Sequence, residues 1–200
     1  MLKILFMPYD PQLDSINYAR HEYGSGGRDE KNSKVIQFEQ GQGHAAGEIW
    51  WDPNSKPLSN ITARNVQIVI RGHGMPGFRS IEGARGGERV TYQTVGDRLI
   101  SAGLPKAFPG EIVCFCCHSA ESGAPGTDPE IGDGRPFGRN LCDYMKKKGF
   151  GAASYYGFLG AVDSFAKHGS SGMDYYARGF HGGKMYQELG TMQMARVGFR

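Results

Sequence analysis

The sequence predicts an α/β domain with a largely parallel sheet, because two strands of buried type flank a helical segment. Val66–Ile70 is β-branched and nearly all apolar, and Glu111–Cys116 is apolar after its first residue. Continuous apolar runs of this length are typical of strands covered on both faces, as in parallel sheets. Between them, Val90–Ala102 carries apolar residues at helical spacing, and Gly103 can end that helix. Alternating strands and helices of this kind indicate the α/β class.

Further elements extend the same alternation along the chain. They are the strands Leu2–Met7, Lys34–Glu39 and Ala152–Phe158 and the amphipathic helix Phe137–Lys148, which Gly149 can stop. The segment 119–136 is rich in glycine and proline and is predicted to be a long loop at the edge of the functional site. No pattern assigns the elements of residues 160–200. We expect one domain over residues 1–200.

Composition and charge exclude several classes of function. The chain has 200 residues, with 23 Lys and Arg against 20 Asp and Glu, so its net charge of +3 is mild. This balance argues against a nucleic-acid partner held mainly through backbone charge. No apolar run approaches the roughly 18–20 residues that span a bilayer, so no membrane partner is expected. The start of the sequence lacks the pattern of a cleavable signal, which predicts a cytoplasmic protein or export without such a signal.

A histidine and a cysteine follow the two strands of buried type. The first strand leads into His73 and Gly74, and the second leads into Cys117. Since ligands of parallel α/β sheets bind beyond the carboxyl ends of the strands, neighbouring strands would bring imidazole and thiol together. The imidazole could then accept the thiol proton, and the thiolate could attack a carbonyl carbon. Glycine beside the histidine would let a substrate approach the backbone closely.

This arrangement resembles the signature of the clan CD cysteine peptidases, which include caspases, legumains, gingipains and the self-cleaving peptidase domains of bacterial toxins. In that group one hydrophobic strand ends in His-Gly, and a second ends in a small residue followed by the catalytic cysteine. Here His73 and Cys117 are 44 residues apart, which leaves room for the one helix that the family has. The similarity covers roughly residues 1–160 and includes the helix and strand that follow the nucleophile in the toxin domains.

The resemblance implies a fold, an activity and a site. The fold would be a three-layer α/β/α, caspase-like domain, and the activity that of a thiol endopeptidase acting on a protein or peptide, as in a bacterial effector or toxin. Cys117 would be the nucleophile and His73 the catalytic histidine. The N–H groups of Gly74 and Cys117 would stabilise the oxyanion. No metal and no organic cofactor would be required.

The residue before the nucleophile leaves one question of register open. The family usually has Ala or Gly there, whereas this chain has Cys116. Cys116 is therefore an alternative nucleophile, in a register shifted by one residue. Cys114 is interpreted as a small buried residue of the strand, and His118 as a loop neighbour.

Three alternative functions are open from the sequence. The first is zinc binding, because Cys114, Cys116, Cys117 and His118 are suitable ligand types. Adjacent positions on a strand point to opposite faces, however, which would divide this set of ligands. A second is a non-catalytic or self-processing caspase-like module that binds a protein. A third is a small-molecule thiol hydrolase or acyltransferase that uses the same dyad.

Overall fold

Thirteen strands and helices make up the described part of the computed structural model, which covers residues 2–10, 48–83, 87–126, 130–169, 172–181, 184–186 and 196–200. The strands are Leu2–Met7 (β1), Glu48–Trp50 (β2), Val66–Arg71 (β3), Ser80–Glu82 (β4), Arg89–Thr91 (β5), Glu111–Phe115 (β6), Ser154–Phe158 (β7), Ala161–Gly169 (β8), Gly172–His181 (β9), Lys184–Tyr186 (β10) and Arg196–Phe199 (β11). The helices are Tyr92–Ser101 (α1) and Phe137–Lys147 (α2).

The central sheet has six strands in the order β2-β1-β3-β6-β7-β11. All neighbouring pairs are parallel except β7 and β11, which are antiparallel. In the centre of the sheet, Ile70 is paired with Cys114 and Arg71 with Phe115. The predicted α/β class and the largely parallel sheet are therefore confirmed.

Both described helices cover the same face of the sheet. Leu99 of α1 and Leu141 of α2 are fully buried in one hydrophobic cluster with Ile68 and Ile112 of the sheet. The two helices pack closely at Gly96, where an added Cβ would lie 2.8 Å from the Tyr144 ring. Full burial of an aliphatic side chain contributes roughly 1.5–3 kcal/mol, so this cluster is a major source of stability.

The opposite face of the sheet carries a smaller cluster near the carboxyl end of β6. Phe115 and Phe158 meet edge to face with ring centroids 5.4 Å apart, and Val162 of β8 packs against them. The Arg71 guanidinium lies over the Phe115 ring at 4.8 Å. No helix among the described residues covers this face, so the predicted α/β/α arrangement stays a prediction.

The predicted helix Val90–Ala102 begins later than expected. Arg89–Thr91 is instead strand β5, paired antiparallel with β4. The helix starts at Tyr92 because Thr91 is its N-cap, and the Thr91 Oγ1 accepts a hydrogen bond from the Thr94 N–H at 3.2 Å. At the other end, Gly103 adopts a φ of +89°, which favours glycine and ends the helix as predicted.

Other boundaries shift by one or two residues. The strand predicted to reach Cys116 ends at Phe115, the helix predicted to reach Lys148 ends at Lys147, and the strand predicted from Ala152 starts at Ser154. The strand predicted at Lys34–Glu39 lies outside the described residues.

The unassigned residues 160–200 contain four strands in the described segments. Three of them form an antiparallel sheet in the order β10-β9-β8, and β11 joins the central sheet. The long pairing of β8 with β9 runs from Ala161 opposite Phe180 to Gly169 opposite Gly172. Within the described residues, no helix is both long and apolar enough to cross a membrane.

Candidate active site

The two predicted site residues lie at the carboxyl ends of adjacent parallel strands. Arg71 of β3 is paired with Phe115 of β6, and His73 and Cys117 each come two residues later. His73 extends β3 through an antiparallel bridge to Glu82, and Cys117 packs against the cluster that contains Phe115. The sheet therefore brings the ends of the two motifs to one place.

Gly74 is in direct contact with the cysteine turn. A Cβ added to Gly74 would lie 2.4 Å from the carbonyl oxygen of Cys117 and 3.5 Å from the Cβ of Cys116. The first distance is too short for any real Cβ, and the obstacle is backbone, which cannot rotate away. Only glycine allows the segment after His73 to approach Cys117 this closely.

The β4–β5 hairpin fixes the backbone of His73. The His73 N–H donates to the Glu82 carbonyl at 2.7 Å, and the Glu82 N–H donates to the His73 carbonyl at 3.0 Å. Glu82 is in turn ion-paired with Arg89 across the hairpin, at 3.6 Å. A hairpin that the sequence did not reveal therefore holds the histidine in extended conformation.

A tight turn follows the histidine and joins it to the loop after the cysteine. The Phe78 N–H donates to the Met75 carbonyl at 3.2 Å, and Gly77 has a φ of +73°. The Gly77 N–H donates to the Glu121 carbonyl at 2.9 Å. The first residues of the long loop thus contact the end of the histidine motif.

The Cys117 thiol is partly exposed and lies against the start of β8. Its Sγ accepts a hydrogen bond from the Val162 N–H at 3.4 Å and donates to the Val162 carbonyl at 3.5 Å. Among the four cysteines, Cys117 alone is not buried. A partly exposed thiol at a strand end is the kind of group that can meet a substrate.

The other cysteines of the cluster are enclosed by the hydrophobic core. Cys114 and Cys116 each have 1% of their surface exposed and belong to the cluster on the helix-covered face. Burial raises the pKa of Cys116 to about 12, and it raises the pKa of Cys114 well above its usual value. Both thiols therefore stay protonated at neutral pH, which disfavours Cys116 as the nucleophile.

Ser119 anchors the cysteine turn to the sheet. Its side chain is buried, and its Oγ donates to the Cys114 carbonyl at 2.7 Å. The same Oγ accepts a hydrogen bond from the Phe158 N–H at 2.9 Å. Ser119 thus ties the turn after Cys117 to both β6 and β7.

His118 is more constrained than a simple loop neighbour. With a φ of +57° it is the one non-glycine residue with positive φ in the described part of the chain. Its N–H donates to the Gly160 carbonyl at 2.7 Å, and its Nδ1 is hydrogen-bonded to the Glu121 carboxylate. Backbone strain of this kind persists only where the surroundings hold it.

The structure separates the ligand set that the zinc alternative needs. Cys114 and Cys116 lie in the core cluster, while Cys117 packs with the cluster on the opposite face. In the segments that the structure describes, no group of three or more His, Cys, Asp or Glu side chains could hold a metal ion. These positions do not fit a zinc site built from the cysteine run.

Three contributors to the site have no signal in the sequence that identifies them. They are Ser119, Glu121 and Val162, which act on the cysteine turn through hydrogen bonds. The sequence predicts that the glycine-rich loop borders the site, but no local pattern distinguishes Glu121 from other loop acids. Val162 contributes backbone atoms, so its residue type carried no signal.

No protein-family model matches this chain, and no curated protein matches it significantly. The geometry of the site and the motif at the two strand ends are therefore the basis for assigning a function.

Proposed function

We propose that this chain is a cysteine endopeptidase in which His73 and Cys117 form the catalytic dyad. The observation that carries the proposal is the packing of Gly74 against the Cys117 carbonyl. A Cβ at position 74 would lie 2.4 Å from that carbonyl oxygen, so only glycine fits there. That contact joins the His-Gly end of β3 to the cysteine end of the adjacent, parallel β6. It supports the combination of imidazole, thiol and close backbone N–H groups that acyl transfer requires.

The proposed reaction has two stages. The Cys117 thiolate adds to the peptide carbonyl carbon, and the N–H groups of Gly74 and Cys117 bind the oxyanion. The C–N bond then breaks, and His73 gives its proton to the departing amine, which leaves a thioester on Cys117. Water next attacks the thioester with His73 as base, which releases the acid and restores the thiol. No metal or organic cofactor takes part in either stage.

Exposure favours Cys117 over Cys116 as the nucleophile. The Cys116 thiol is 1% exposed, and burial raises its pKa to about 12. Attack by Cys116 would require both deprotonation in an apolar core and rearrangement of the helix-covered face. Cys117 is partly exposed and lies outside that core, so a substrate can reach it without such a rearrangement.

The proposal extends to the finer features that the family resemblance implies. These are a three-layer α/β/α arrangement and a protein or peptide as substrate. The central six-stranded, mostly parallel sheet is compatible with the first of these.

Active-site labelling combined with a peptide library tests the proposal. We expect iodoacetamide at near-neutral pH to modify Cys117 selectively, as mapped by mass spectrometry, and the protein to cleave a subset of peptides. Cys117→Ala should abolish both signals, whereas the matched variant Cys116→Ala should keep both.

The other outcomes identify the alternatives. Absence of a selectively reactive thiol and of cleavage would favour a protein-binding module. A reactive Cys117 that hydrolyses small thioesters but no peptide would indicate a small-molecule hydrolase or acyltransferase.

A further inference from the structure

The Glu121 carboxylate joins the cysteine turn to the turn that precedes β8. One of its oxygens accepts a hydrogen bond from the Gly160 N–H at 2.9 Å, and the other is hydrogen-bonded to His118 Nδ1. The side chain is only 21% exposed. A half-buried carboxylate with two partners on different segments is well placed to fix their separation.

The backbone around Gly160 reinforces this connection. The Gly160 carbonyl accepts the His118 N–H at 2.7 Å, and the Phe158 carbonyl accepts the Ala120 N–H at 2.9 Å. Gly160 itself has a φ of +75°. Residues 118–121 and 158–160 are thus held together by backbone hydrogen bonds and by the Glu121 side chain.

The segment that Glu121 holds leads directly to the nucleophile. Val162 comes two residues after Gly160, and its N–H and carbonyl are both hydrogen-bonded to Cys117 Sγ. β8 is the outer strand of its three-stranded sheet, and these two groups of Val162 point away from β9. The turn around Gly160 therefore leads directly into the residue that contacts Cys117, and it acts on the position of Val162 together with the pairing of Val162 with Gly179 of β9.

We propose that Glu121 is a positioning residue for Cys117, which acts by holding Gly160 so that the Val162 N–H stays on the thiol. This inference rests on the proposed function for its catalytic consequence. The length of the side chain is what matters in this role, since the carboxylate must reach Gly160 and His118 together. Its negative charge is secondary.

Two conservative variants separate length from charge. Glu121→Gln keeps the length and the oxygen that accepts the Gly160 N–H but removes the charge, whereas Glu121→Asp keeps the charge and is one methylene shorter. We expect Glu121→Gln to retain kcat within about threefold, and Glu121→Asp and Glu121→Ala to lose kcat by about ten- to a hundredfold. KM should change little in all three, because Glu121 acts through the nucleophile.

Glu111→Ala is the matched control. Glu111 lies at the other end of β6, is 20% exposed and pairs with Arg196 at 2.6 Å. This variant should lose stability comparable to that of Glu121→Ala while kcat is kept. If Glu121→Asp keeps full kcat and Glu121→Gln loses it, kcat depends on the charge of residue 121 and not on the length of its side chain, and the inference is wrong.

A second measurement is independent of peptidase activity. Hydrogen exchange at the Gly160 and Val162 amides should be faster in Glu121→Asp than in the wild type, with Glu121→Gln close to the wild type. Unchanged Val162 exchange in Glu121→Asp overturns the inference even in an active enzyme. A protein without peptidase activity that shows the expected exchange pattern contradicts the proposed function alone.

Discussion

The two faces of the central sheet give neighbouring cysteines at the end of β6 opposite properties. On the helix-covered face, Cys114 and Cys116 are enclosed by apolar side chains and their pKa values are raised by burial. On the other face, Cys117 is partly exposed, and its Sγ accepts a hydrogen bond from the Val162 N–H. One step along the chain therefore separates an enclosed thiol from a partly exposed one. The face of the sheet on which a cysteine lies decides whether its thiol can be reached from solvent.

The largest effect should come from exchanging the two neighbouring thiols for alanine in turn. Cys117→Ala should lower peptide cleavage by about a thousandfold or more, since the covalent step is lost. Cys116→Ala should keep the activity and cost only stability, because it removes a buried group from the core. Cleavage rates and thermal unfolding of both variants provide the measurement. Full activity in Cys117→Ala with loss in Cys116→Ala would reverse the comparison.

The second effect concerns His73, the proposed partner of the exposed thiol. His73→Ala should lower kcat by about 10²–10⁴-fold, the usual contribution of a general acid–base group. The wild-type Cys117 should also react faster with iodoacetamide at neutral pH than the same thiol in His73→Ala, because the imidazole can accept the thiol proton. Alkylation profiles that coincide for the two proteins would contradict the dyad.

A third effect tests the close approach of the two strand ends. Gly74→Ala places a Cβ where only 2.4 Å separates it from the Cys117 carbonyl, so the backbone must shift. We expect kcat to fall by about 10²–10³-fold, as when one oxyanion donor is lost. Gly151→Ala is the control, since a Cβ there meets nothing within 4 Å. Equal kcat in both variants would mean that the Gly74 contact has no catalytic role.

The smallest effect is a pH dependence of stability that originates on the helix-covered face. Burial raises the pKa of Cys116 to about 12, whereas an unfolded thiol ionises near ~8.5. The stability from this thiol is therefore complete below pH ~8.5 and is lost as pH rises toward 12, by about 1.4 kcal/mol per pH unit. Urea unfolding at pH 8–10 under reducing conditions should show a smaller decline for Cys116→Ala than for the wild type. If the free energy of unfolding falls equally with pH in both proteins, burial does not keep the Cys116 thiol protonated.

The central sheet could be predicted because its strands carry a strong local signal. Val66–Arg71 and Glu111–Phe115 are nearly continuous apolar runs, and their burial on both faces produces that pattern. The β4–β5 hairpin carries no such signal, since each strand has three residues and β5 alternates between exposed and buried positions. Short polar strands are fixed by their partners rather than by their own sequence.

The same division applies to the candidate site. The proximity of His73, Gly74 and Cys117 could be predicted because they follow two recognisable strands, which pair in the sheet. Glu121 could not, because its role depends on Gly160, which is 39 residues away in the sequence. A contact across that separation leaves no mark on a single sequence.

The shortness of the edge strands protects the central sheet from pairing with other chains. Among the described residues, β2 has three residues and β11 has four, whereas β1, β3, β6 and β7 have five or six and lie inside the sheet. Short edges offer few backbone groups to an incoming strand, so the native sheet is a poor template for aggregation. The inner strands are the apolar segments that form cross-β assemblies most readily once exposed. Aggregation through the central sheet should therefore follow unfolding of that sheet.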